Sequence, residues 1–133
     1  MKEEISKVRL SYGRAISKRH FMERFYELFM SSSPIVARKL ALTDIAKQQE
    51  LLSQAVNMVI LFPQGNKIAR NALNRIRESH NRDGLDIKPK YYQFWTDSLI
   101  VALSEHDPDF NHELEVAWRT VVQEAIDFIA EGH

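Results

Sequence analysis

The stretch Leu73-Asn-Arg-Ile-Arg-Glu-Ser-His80 decides how this chain is read. Leu73 and Ile76 precede His80 by seven and four residues, so on a helix the three share one face. An imidazole thereby falls in line with an apolar stripe, in the last turn before Asn81-Arg82-Asp83-Gly84 breaks the helix. A ring turned toward a core needs partners for its nitrogens. Two kinds of partner fit: a backbone carbonyl or water, which makes His80 a half-buried structural residue, or a metal ion.

Outward from this stretch the apolar spacing stays helical, and no run of strict alternation is long enough for a sheet. Only four glycines and four prolines punctuate the chain. Ile5, Val8, Tyr12 and Ile16 form a first stripe. A second helix, from near Lys18 to about Ser31, shows so wide an apolar face (Phe21, Phe25 and Leu28 beside Met22, Tyr26 and Phe29) that it must lie between two neighbours. Ser33 and Pro34 suit the N-cap and first turn of a short third helix. Asp44 caps a longer one with Ile45, Leu52, Ala55, Val56 and Val59 inward, until Phe62-Pro-Gln-Gly65 breaks it. The next helix carries Ile68, Ala72, Leu73, Ile76 and His80. Pro89 opens another, with Tyr92, Trp95, Leu99, Ala102 and Leu103. Asp107-Pro108-Asp109 stops that helix and is expected to cap the last, which holds Leu114, Ala117, Trp118, Val121, Ala125 and Phe128. About seven helices of unequal length argue against an up-down bundle and for helices crossing around an interior site.

The 133 residues suit a single domain, 1–133, with a real core. Eighteen basic and eighteen acidic residues cancel, so nothing electrostatic favours nucleic acid or an anionic membrane. The absence of cysteine excludes disulfides, thiolate metal sites and a Cys nucleophile. The longest apolar run, Met58 to Phe62, is far too short to cross a bilayer, and the charged start Met1-Lys-Glu-Glu lacks a signal-peptide core. The simplest location is the cytoplasm. No Gly-rich phosphate loop or His-Glu-x-x-His pattern occurs, and Ser31-Ser-Ser33 has no base beside it.

An ordered set of features resembles the bacterial single-domain globins and the globin domain of flavohaemoglobins. Phe25-Tyr26 lies in the second helix and is followed by Pro34; Thr43-Asp44 precedes Lys47-Gln48-Gln49; His80 ends a helix; Ile87-Lys-Pro-Lys-Tyr-Tyr92 opens the next; Glu115-Val-Ala-Trp118 lies in the last. The resemblance implies an all-α globin fold around haem b. His80 then matches the proximal iron ligand and Tyr26 the distal tyrosine facing a bound gas. Gln48 matches the distal polar position, Leu52 the apolar residue packing over the ligand, and Tyr92 a tyrosine placed near the proximal histidine. Leu40 stands where the family has a phenylalanine stacking on the haem. The link from His80 to Ile87 is slightly longer than in flavohaemoglobins, and the glutamate of their proximal network falls at the extreme C-terminus.

The function so implied is reversible binding of O2 and other diatomic gases (CO, NO) for transport, storage or sensing. A hydrogen bond from Tyr26 to a polarised ligand would favour O2 over CO. The proximal histidine's second nitrogen is expected to find the carbonyl of Ile76, with Tyr92 helping to orient the ring. The alternatives are nitric-oxide dioxygenation with a separate reductase, since these residues include no flavin or nicotinamide module, and a non-haem globin-fold module that binds a signalling partner. Read singly, Tyr26 is equally a core aromatic, Gln48 a solvated residue beside an equally polar Gln49, and Tyr92 simple packing. His20, His106, His112 and His133 read as surface histidines.

Overall fold

The computed structural model describes residues 1–40, 44–80 and 87–131, with only the backbone of Lys39, Leu40 and Ile45. Its elements are α1 (Lys2–Ile16), α2 (Phe21–Ser31), α3 (Pro34–Leu40), α4 (Ile45–Leu61), a 3-10 turn (Phe62–Gln64), α5 (Lys67–His80), α6 (Tyr91–His106) and α7 (His112–Ala130). Among the described residues there is no strand, and no helix is long and apolar enough to cross a membrane. The second helix starts at Phe21 rather than near Lys18.

Local chemistry sets the boundaries. Ser33 Oγ accepts from the Ile35 N–H at 3.2 Å, with Pro34 in the first helical position. Asp44 accepts from the Ala46 N–H at 3.0 Å and caps α4. After α4 the chain turns at Gly65, whose φ of 77° suits a residue without Cβ. The cap of α7 is Asn111, which accepts from the Leu114 N–H at 2.9 Å. The expectation that Asp107-Pro108-Asp109 caps that helix is therefore corrected, and Asp107 has a different task.

The core forms where α7 packs against α1, α4, α5 and α6, and α2 against α3, α4 and α6. Trp118, Phe21, Phe25, Leu73, Leu99 and Leu103 are fully buried. Two stripes are rotated from their sequence reading. Ala15 is buried while Ile16 is 39% exposed, and Ala69 is buried while Ile68 is 71% exposed. In each case a small residue one step away falls on the 3.6-residue line of the stripe, and its short side chain suits close helix packing.

Asp107, at the end of α6, is the buried polar centre of this packing. It accepts from Ser11 Oγ at 2.7 Å, from Arg14 Nε at 2.6 Å and Nη2 at 3.1 Å, and from the Asp109 N–H at 3.0 Å. Trp118 Nε1 donates in turn to Ser11 Oγ at 3.0 Å. Burial alone would raise the carboxyl pKa, but the Arg14, Ser11 and Asp109 donors outweigh it and hold the group below its ordinary value. The stability it contributes is present above about pH 4 and is lost as pH falls through its lower folded pKa. Asp107→Ala strands Ser11 and Arg14 and should cost about 2–4 kcal/mol, read as a lower urea midpoint at pH 7. The gap between variant and native protein should narrow in acid.

Candidate functional site

His80 is the last residue of α5, and Tyr92 stands in the first turn of α6. The Ile87 N–H donates to the His80 carbonyl at 3.0 Å, and the Tyr92 N–H to the Pro89 carbonyl at 3.1 Å, so the end of one helix is tied close to the start of the next. This brings the side chains together. His80 Nδ1 lies 3.2 Å from Tyr92 Oη, with the rings stacked 6.0 Å apart and 16° from parallel. The carbonyl of Ile76, the acceptor expected for His80, receives the Ser79 hydroxyl at 3.0 Å instead.

Both partners of the pair are uncharged. Burial lowers the His80 pKa below its ordinary value, because desolvation disfavours the imidazolium. Burial also pushes the Tyr92 phenol up to about 12. One hydrogen shared between a neutral ring and a neutral phenol leaves two arrangements: Nδ1–H donates to Oη, or O–H donates to Nδ1. In the first, the Nε2 lone pair points away from the contact. Among the described residues Nε2 has no hydrogen-bond partner.

The other candidates lie on α2 and α4, which pack on each other, while α4 also packs on α5. Tyr26 is 7% exposed, beside the fully buried Phe25, whose ring meets Trp95 edge-on at 5.4 Å. No described residue hydrogen-bonds the Tyr26 hydroxyl. Leu52 is buried on the inner face of α4. Gln48 and Gln49 are both half-buried, so burial does not separate them. Tyr26, Leu52 and Leu73 belong to one apolar cluster, against which Phe29, Ile76, Tyr92 and Trp95 pack. The direct contact among the candidates is His80 with Tyr92; Tyr26, Gln48 and Leu52 share their cluster or helix without hydrogen-bonding the pair. Leu40 ends α3, and its side chain lies outside the described residues.

The remaining histidines divide. His20 and His112 are exposed. His106 is not a plain surface residue: its Nδ1–H donates to the Ala102 carbonyl at 2.8 Å and its ring meets Phe21 edge-on at 5.6 Å. His133 and Arg82 lie outside the described residues. Glu131, at the end of α7, stands 3.7 Å from Arg77. Sequence reading missed Ser11, Ser53 and Asp107 as polar partners. The available signal for Ser11 was its place on the Val8 face of α1, where a hydroxyl needs a buried acceptor.

The globin family model matches residues 41–129. The chain belongs to the globin family. A solved protein from Pseudomonas aeruginosa PAO1, described as structurally highly homologous to a human hemoglobin, is 34% identical. The match covers 97% of each chain with a TM-score of 0.91. A search of the curated proteins found no match. These comparisons speak for a globin without singling out the flavohaemoglobins.

At the iron ligand the residues present fit a haem. Among the described residues no group of three or more His, Asp or Glu side chains is set to hold a metal ion. A lone neutral imidazole with one nitrogen engaged suits an iron that brings its own ring of nitrogen ligands. In the haem-free protein the His80 ring resonances should titrate below about pH 6.5 by NMR. Because the folded pKa is the lower one, the stability from burying the neutral ring is complete above about pH 6.5 and declines as pH falls below it. Tyr92→Phe should shift that titration.

Proposed function

We propose that this globin binds haem b through His80 and uses it to bind O2, CO or NO reversibly, as a single domain over residues 1–133. The observation that carries the reading is the half-buried, neutral His80 ring with Tyr92 on Nδ1 and no described partner on Nε2. The likeness to a hemoglobin-like bacterial protein supports it. Haem, when bound, supplies an iron with an open position for a diatomic gas.

The chain's own residues then divide the work. His80 holds the metal at Nε2 while Nδ1–H donates to Tyr92 Oη, which fixes the tautomer and the ring plane. Tyr26 offers an O–H donor from a buried position on α2, and Gln48 a second polar group from α4. Phe29 and Leu52 keep water from the ligand side, where a drier setting strengthens each hydrogen bond. Leu40 holds the place on α3 where the resemblance sets a haem-stacking phenylalanine. A cytoplasmic location belongs to the same proposal. Neither alternative has an observation of its own. The His80–Tyr92 contact serves gas carriage and nitric-oxide dioxygenation alike, and the replacement of the family's haem-stacking phenylalanine by Leu40 is the one feature in the sequence that suits a non-haem module.

Reconstitution of the purified protein with haem should give a Soret band and distinct ferric, ferrous and CO-bound spectra. Tyr26→Phe should then release O2 about ten- to a hundredfold faster, the worth of one hydrogen bond to a charged acceptor, with a smaller change for CO. A chain that folds but takes up no haem would exclude the proposal.

A further inference from the structure

Helix α4 carries Gln48 and Leu52, the residues that the gas-binding reading sets beside the ligand. Its inward residues Leu52, Val56, Val59 and Ile60 are all apolar and buried. Apolar burial is non-directional, so it holds a helix at a depth more firmly than at one rotation or height. Among the described residues a single side-chain hydrogen bond joins α4 to another helix: Tyr12 Oη and Ser53 Oγ lie 3.4 Å apart. Ser53 follows Leu52 directly, so whatever holds its hydroxyl also sets the rotation at Leu52.

The anchor on the other side is firm. Tyr12 is 8% exposed, and its ring meets Phe21 edge-on at 6.2 Å and Trp118 at 6.3 Å. The preceding residue, Ser11, is held by Trp118 and Asp107. Burial raises the Tyr12 pKa, so its hydroxyl keeps its hydrogen. A rigid phenol on α1 thus meets a half-buried hydroxyl on α4.

We propose that Tyr12 is a positioning residue for the gas site: through Ser53 its hydroxyl fixes the rotation and height of α4, and thereby where Gln48 and Leu52 stand. The ligand consequence rests on the gas-binding reading; the helix consequence does not.

Tyr12→Phe keeps the ring and removes the hydroxyl, and Ser53→Ala removes its partner. In the haem-loaded protein each change should speed O2 release about two- to threefold and shift or broaden the C–O stretching band of the CO complex, the low end for one hydrogen bond, as suits a long 3.4 Å contact. The double variant should add little to either single one, because both remove the same contact. In the haem-free protein, Tyr12→Phe should speed amide hydrogen exchange along α4 by a similar factor and leave α7 unchanged. Unaltered release rates and C–O band with only a lowered melting temperature would overturn the proposal, leaving Tyr12 as packing. If the native protein takes up no haem, the gas-binding reading falls by itself; α4 exchange then decides, and unchanged exchange in Tyr12→Phe overturns the positioning role.

Discussion

The hydrogen-bond chain from Trp118 through Ser11 to Asp107 and Arg14 is the constraint around which the helices are arranged. A fully buried indole must give its N–H to something, and in the crowded centre of α7 the acceptor comes from α1. That hydroxyl must then donate, and its acceptor is the carboxylate at the end of α6. Arg14 completes the set from α1, with its side chain 31% exposed, so the buried charge is compensated without being sealed away from solvent. Directional bonds thus lock α1 to α6 and α7 at the other end of the chain. α5 packs against α7, and α4 against both, mainly through apolar contact.

That division suits the proposed binding of a large flat cofactor. The directional network lies among α1, α6 and α7, while α4 and α5, which bear Gln48, Leu52 and His80, are held mainly by burial, which tolerates adjustment better than a fixed hydrogen-bond geometry does. Two tethers cross into the site. The link between the end of α5 and the start of α6 holds His80 against Tyr92. The Tyr12–Ser53 contact joins α1 to α4. The first concerns the side of the proposed iron ligand and the second the side proposed for the gas.

Much of this was legible in the sequence, because helical periodicity reports the local burial that forms each element. The stripes on α2, α6 and α7 are buried much as their spacing implies, and the caps at Ser33 and Asp44 follow from short polar residues placed before apolar runs. Periodicity fails where two adjacent residues fit a stripe equally well. Ile16 and Ile68 are the more apolar of their pairs, yet Ala15 and Ala69 are buried. It also fails for pairings between distant residues: nothing near Asp107 announces Ser11 or Arg14. At the site, His80 and Tyr92 were legible as candidates by their order along the chain. Their nearness was expected from the resemblance, which sets a tyrosine beside the proximal histidine, whereas periodicity alone does not show that Tyr92 Oη meets Nδ1. Gln48 and Gln49 look alike in the sequence and are equally half-buried.

The central claim is that His80 holds the iron through Nε2. The measurement that tests it most directly is the visible spectrum of haem-loaded His80→Gly protein, in ferric, ferrous and CO-bound forms, with and without added imidazole. The account predicts that the substitution abolishes the histidine-ligated spectrum and that imidazole, entering the vacated space, restores it. Spectra of His80→Gly identical to those of the native protein would contradict it.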